Sequence, residues 1–193
     1  YRNRNLTLSA TANYMKTFGD HDVNVLLGTS REQFRYNTTV ASRKDFPTDD
    51  FEVIDPGDAA TATATGTKTY SALTSVFGRV NYSYKDRYLL EANVRHDGSS
   101  KFARGHRWGT FPSFSAAWRI SEESFFSSLR SAVQNLKLRV SWGKLGNQSI
   151  DDYLSMSTYA VVGGGTRFYL FDGAVQSLMT ESVMGNNVIT WET

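Results

Sequence analysis

Between Ser75 and Asp97 the sequence reads SVFGRVNYSYKDRYLLEANVRHD, two runs of alternating character joined by Lys85-Asp86-Arg87. In the first run Val76, Gly78, Val80, Tyr82 and Tyr84 fall on one side, and Phe77, Arg79, Asn81 and Ser83 on the other. In the second, Tyr88, Leu90, Ala92, Val94 and His96 oppose Leu89, Glu91, Asn93, Arg95 and Asp97. A period of two does not suit a helix; it separates apolar from polar side chains across the two faces of a β-strand. The apolar face of such a sheet must meet either a protein core or membrane hydrocarbon, and the rest of the chain has to decide between them.

The same alternation predicts four more strands, at 5–14, 22–35, 111–120 and 136–144. Weaker signals at 153–160, 166–172 and 188–193 predict further short strands. Helix is expected at most over 122–132, after the cap-like Ser121-Glu122-Glu123. The connections alternate between short and long. A few residues around Gly19-Asp20 join the first two strands, and three join the third to the fourth. Nearly forty, including the low-complexity stretch AATATATGTKT at 59–69, are expected between the second and third. A long Gly-rich excursion, 145–187, follows the sixth. In an up-and-down meander this puts short turns at one end and long loops at the other, as in outer-membrane barrels. Compact soluble domains rarely carry structureless loops of that length. Tyr14, Tyr82, Tyr84, Tyr88 and Trp118 are expected near the short-turn end, where aromatic rings settle at a membrane interface. The competing expectation is a soluble extracellular β-sandwich, a binding or adhesin module with these rings in its core.

Composition narrows the functional classes. With 40% apolar and 21% charged residues and a net charge of +2, the chain is neither disordered nor a clear nucleic-acid binder. No apolar run is long enough for a transmembrane helix, a test to which barrel strands are blind. The absence of cysteine removes thiolate metal sites, thiol nucleophiles and disulfides. The first residues, Tyr1-Arg2-Asn3-Arg4-Asn5, lack the features of a signal peptide, so export would imply an internal piece of a longer protein. No hydrolase elbow, phosphate-binding loop or zinc-protease motif occurs, and neither an enzyme nor a cofactor is expected. His21, His96 and His106 lack metal-ligand spacing, and His96 is expected on a strand face near a loop. Asp49-Asp50 and Asp151-Asp152 read as solvated loop carboxylates, with a calcium site at the latter lacking any supporting loop pattern. Asn37-Thr38-Thr39 fits a glycosylation acceptor, a pattern too common to carry weight. What remains is the polar face. Arg79, Asn81, Glu91, Asn93, Arg95, Arg119, Lys137 and Arg139 are the candidate lumen-facing residues, able to pair with one another, hold a plug or touch a polar solute.

The stretch from Ser75 to Phe126, with LKLRVSWGKLGNQ after it, resembles the barrel of SusC/RagA-type TonB-linked outer-membrane transporters of Bacteroidetes. The most specific parts are Arg95 to Phe102, the Gly109-Thr110-Phe111-Pro112-Ser113 turn into a strand, and Ser141 to Gln148. Ile189-Thr190-Trp191-Glu192 resembles the start of that family's next strand. The resemblance implies an all-β fold, an antiparallel meander forming part of a barrel of about 22 strands. It implies an outer-membrane location, contact with lipid, uptake of a glycan or peptide, a SusD-like surface lipoprotein partner and energy from TonB. It implies no nucleic-acid partner. Residues 1–193 are then expected to be a partial barrel, without signal peptide, TonB box or plug and with too few strands to close.

Overall fold

Six antiparallel strands lie side by side in sequence order, each hydrogen-bonded to the next. They are β1 (Arg2–Phe18), β2 (His21–Ser42), β3 (Thr63–Tyr84), β4 (Tyr88–Ser99), β5 (Trp108–Arg119) and β6 (Lys137–Gly143). A second, three-stranded sheet, ordered β7-β9-β8, is made by β7 (Thr158–Val162), β8 (Phe168–Phe171) and β9 (Ala174–Val183). The coordinates are a computed structural model that describes residues 1–50, 52–162, 168–172 and 174–193.

The six strands of the main sheet occupy the expected places; the first five run longer, while β6 is slightly shorter than the expected 136–144. β2 and β3 stay paired from His21↔Tyr84 to Ser42↔Thr63. The low-complexity stretch is therefore largely strand, and the loop beyond it is 43–62 rather than nearly forty residues. Its threonines explain the difference, because β-branched residues favour the pleated backbone however repetitive the sequence. The stretch 122–132 forms no α-helix. It is replaced by two 3-10 turns, Ile120–Glu122 and Ser124–Leu129, consistent with a Ser-rich segment of weak helix propensity. Residues 188–193 contribute one isolated bridge, Asn147↔Glu192, in place of a strand. Residues 153–157 are not strand, and β7 starts at Thr158. Part of the signal at 166–172 appears as β8, with 166 and 167 outside the described residues, while β9 lies within the stretch read as a Gly-rich excursion.

Short and long connections segregate as expected. Gly19-Asp20 closes the first hairpin, with Gly19 at φ +60. Lys85 and Asp86, both at φ +53, close the β3–β4 hairpin, the backbone sign that matches the twist of the flanking strands. The two turns touch: Lys85 N donates to Asp20 O at 2.8 Å, and Lys85 Nζ lies 3.5 Å from the Asp20 carboxylate. Segment 120–136 returns at this same end, while 43–62, 100–107 and 144–157 lie at the other.

The register aligns the apolar positions of all six strands on one face. A middle row runs Tyr14–Val25–Val80–Ala92–Phe114–Trp142. A row at the short-turn end runs Phe18–His21–Tyr84–Tyr88–Trp118–Leu138. Nothing among the described residues covers this face: Val80 is 45% exposed, Phe114 53%, Val140 66% and Trp142 62%. Among the described residues the buried large apolar side chains are Phe102, Phe111 and Phe126. The accessible surface of 14507 Å² compares with about 9,200 Å² expected for a compact chain of 21.6 kDa. A sandwich would hide this face, so the exposed area does not favour the soluble alternative. From Tyr84 to Val76 the apolar face spans eight residue steps, roughly 27 Å of strand, or roughly 20 Å of height at barrel tilt, close to a membrane band.

Close packing appears on the opposite face. The Phe77 ring occupies the space where a side chain on Gly28 would begin. Gly28→Val should therefore destabilise the sheet by about 1–3 kcal/mol through overpacking, read as a lower unfolding midpoint of the full-length protein in detergent. Val80→Arg, near the centre of the apolar band, should cost about 2–4 kcal/mol in a bilayer, measured by reversible unfolding from lipid vesicles.

Candidate functional site: the polar face of the sheet

All eight candidate lumen-facing residues share the face opposite the apolar band. Arg79 stands opposite Asn93, Asn81 opposite Glu91, Arg95 between Phe77 and Phe111, Arg119 opposite Lys137, and Arg139 opposite Ala117. They fall into three groups. In the first, Arg79 Nε donates to Asn93 Oδ1 at 2.8 Å, and Asn93 Nδ2 donates to Glu91 Oε1 at 2.9 Å. This chain crosses the β3–β4 pair and fixes three side chains against one another.

The second group lies nearer the long loops. Arg95 Nε donates to both Asp97 oxygens, at 2.8 and 2.9 Å, its Nη2 reaches Ser75 Oγ at 2.8 Å, and its guanidinium lies 5.4 Å from the Phe77 ring centre. Ser75 is fully buried and Asp97 only 7% exposed. A buried carboxylate needs such a charged, hydrogen-bonded partner. Residues after β6 fold back over this end. Lys101 Nζ donates to Ile150 O at 2.6 Å and lies 3.8 Å from Asp152, so Asp152 serves an ion pair. Trp191 packs against Phe102 and Phe111 and donates from Nε1 to Arg107 O at 2.8 Å.

The third group borders a depression of about 420 Å³ toward the short-turn end, lined by Asp22, Asn24, Asn81, Glu91, Lys137 and Arg139 among others. Among the described residues, Asn81, Lys137 and Arg139 make no side-chain hydrogen bond. Arg119 is different: it donates to Asp86 O at 3.2 Å and lies 3.7 Å from Glu122, tying the sheet to its turns. Among the described residues the structure thus divides the set into five with side-chain partners and three without. Asp22 and Asn24 join the depression although sequence reasoning passed over them. Their signal was available in the polar alternate positions of the second strand, beside Val23 and Val25.

Aromatic rings mark the lower edge of the apolar face. Successive ring centres are 5.4 Å apart for Phe18–His21, 4.8 Å for His21–Tyr84, 6.4 Å for Tyr84–Tyr88 and 6.5 Å for Tyr88–Trp118. Phe125 extends the series edge-on from Trp118 at 6.4 Å. Two of the expected members sit elsewhere: Tyr14 is in the middle row opposite Val25, because β1 runs on to Phe18, and Tyr82 is one row in, bonded to His21 Nδ1 at 2.7 Å. His96, stacked on Trp108 at 4.8 Å, lies near the other edge of the same face. Below the girdle, Glu123 accepts from Tyr88 Oη at 2.7 Å, Trp118 Nε1 at 3.0 Å and Arg87 Nη1 at 3.2 Å. The Tyr88 hydroxyl, then the Trp118 indole, favour the charged carboxylate and hold its pKa below the ordinary 4.5.

This is the wall of a membrane β-barrel cut open. The apolar band faces outward between an aromatic edge and a set of long loops, and the polar side chains face the other way. The family profile described as TonB dependent receptor-like, beta-barrel, matches residues 1–174, and the chain belongs to that family. The TonB-dependent receptor SusC of Bacteroides thetaiotaomicron is 33% identical over 188 residues, covering 97% of this chain and 18% of that protein. The TonB-dependent receptor P39 of Formosa agariphila is 38% identical over 149 residues, covering 76% of this chain and 14% of that protein. The fold matches the RagAB peptide transporter with a TM-score of 0.80 at 22% identity, covering 98% of this chain and 20% of that one. The RagAB peptide importer in its open-open state matches with a TM-score of 0.81 at 23% identity, over the same shares. The chain therefore spans less than a fifth of the curated relatives' length, and it is part of an outer-membrane barrel.

Two outcomes follow for the fixed groups. Asp97→Ala, which strands the Arg95 guanidinium, should lower stability by about 1–3 kcal/mol, measured by chemical unfolding of the full-length barrel. For Glu123, a depressed folded pKa means its stabilisation is present above the unfolded value of 4.5 and is lost as pH falls below it. Wild-type thermal stability should therefore drop more steeply between neutral pH and pH ~3 than that of Glu123→Gln.

Proposed function

We propose that this chain is part of the barrel wall of an outer-membrane TonB-dependent transporter that imports a large nutrient, an oligosaccharide or a peptide. The mechanism is gated passage through a plugged barrel without covalent chemistry. Arg79, Asn81, Glu91, Asn93, Arg95, Arg119, Lys137 and Arg139 face the lumen in this reading. A SusD-like surface lipoprotein and TonB act through parts of the protein outside residues 1–193. The observation that carries the proposal is the one-sided sheet: an apolar face of membrane height that no described residue covers, backed by a polar face whose depression is bordered by Asn81, Lys137 and Arg139. The family and its named members support transport as the class of activity.

The test is nutrient uptake by cells carrying the full-length transporter with Lys137→Glu and Arg139→Glu together. Uptake should fall several-fold while the amount of folded barrel in the outer membrane stays at the wild-type level. Unchanged uptake removes these residues from the solute path. Recovery of the wild-type protein in the aqueous phase without detergent removes the transporter reading altogether.

A further inference from the structure

The polar face holds a second depression, which begins one inward row nearer the long loops than the first. It measures about 510 Å³ and is lined by Phe77, Arg79, Asn93, Arg95, Phe111 and Lys144 among others. Its floor is two adjacent rows across β3, β4 and β5, one running Phe77–Arg95–Phe111 and the other Arg79–Asn93–Ser113. Its wall is the chain that leaves β6. Lys144 N donates to Pro112 O at 2.9 Å, and the Phe111 ring occupies the space where a side chain on Gly146 would begin. Glycine there lets residues 144–146 press onto β5, which sets Lys144 at the border of the depression.

The charge lining this depression has one sign. Arg79, Arg95 and Lys144 are cations, and no Asp or Glu joins them. The carboxylates of the two flanking inward rows are engaged: Asp97 accepts from Arg95 Nε, and Glu91 accepts from Asn93 Nδ2. The cations differ in what they already hold. Arg95 gives Nε and Nη2 to Asp97 and Ser75. Arg79 gives only Nε, to Asn93 Oδ1 at 2.8 Å, so it is braced along one edge while both Nη nitrogens have no partner among the described residues. Lys144 Nζ likewise has no ion pair among the described residues.

A braced guanidinium fork beside an ammonium, over a floor that includes two phenyl rings, suits one ligand chemistry. Guanidinium binds a carboxylate through two parallel hydrogen bonds, and the ammonium adds a point charge that a neutral amide would not satisfy. The backbone N–H groups of the floor are taken up by the ladder, so the nests that hold tetrahedral oxyanions are missing from it. The volume is that of a small-molecule site. We propose that this depression is a subsite for a carboxylate carried by the imported nutrient, bound by Arg79 and Lys144. The carboxylate belongs to an acidic sugar of an oligosaccharide or to an acidic residue of a peptide. The inference rests on the transport reading above and names the charge of the solute.

The experiment is titration calorimetry on the full-length transporter purified in detergent. The probes are an oligogalacturonate and its methyl ester, and an Asp-containing peptide and its Asn counterpart, both peptides blocked at the termini. One carboxylated probe should bind at least about tenfold more tightly than its neutral counterpart, and which one it is assigns the source. Arg79→Gln with Lys144→Gln should weaken that binding on the order of a hundredfold, and Lys144→Gln alone on the order of tenfold. Lys144→Gln removes no internal side-chain contact and should keep the wild-type unfolding midpoint, which separates lost charge from lost fold. Arg104→Gln in the loop 100–107 should bind as wild type does. If neither carboxylated probe is preferred, or if the double variant binds like wild type, the proposal is overturned while transport stands. The transport reading itself falls only to the detergent partitioning described above.

Discussion

Every feature of this sheet depends on the backbone ladder. In hydrocarbon an unpaired N–H or C=O has no water to turn to and costs several kcal/mol, so strands must pair along their whole membrane length. The continuous registers between neighbouring strands from β1 to β6, free of bulges across the apolar band, meet that requirement for every inner strand. Once the ladder is fixed, a period of two leaves no freedom in side-chain direction. A slip of one residue between β3 and β4 would put Arg79 and Glu91 on opposite faces, one of them in lipid.

That constraint explains why so little apolar surface is buried among the described residues. Stability elsewhere comes from burying apolar surface, but here such surface is offered outward and the packed groups are polar or sit at the ends. Phe102, Phe111 and Trp191 close the long-loop end, and Glu123 with its three donors closes the short-turn end. Between them, Arg79–Asn93–Glu91 and Arg95–Asp97–Ser75 hold the inner face rigid. The result is a wall whose two ends and inner surface are fixed and whose outer surface is left to the bilayer. Asn81, Lys137 and Arg139, which have no side-chain hydrogen bond among the described residues, border the depression on that inner surface.

The places where sequence reasoning and structure part company share a cause. The threonine-rich stretch at 63–69 reads as loop from its repetitive composition, yet partners across the ladder in β2 make it strand. Distance along the chain puts Tyr14 in the girdle, but the extra turnward residues of β1 set it in the middle row. Segment 122–132 has a helix-like start, but its serines and its position under Trp118 hold it in 3-10 turns. Each depends on what lies alongside, which one strand's residues cannot report.

Alternation by itself determined the strand class, the sidedness of the six main strands and the membership of the eight polar residues on one face, because side-chain direction follows from position along a strand. Loop lengths determined which end carries the turns. Only the tertiary structure decided that the apolar face stays uncovered and that five of the eight residues are tied to partners. Register and exposure are relations between segments far apart in the chain, and they exist only once those segments have paired.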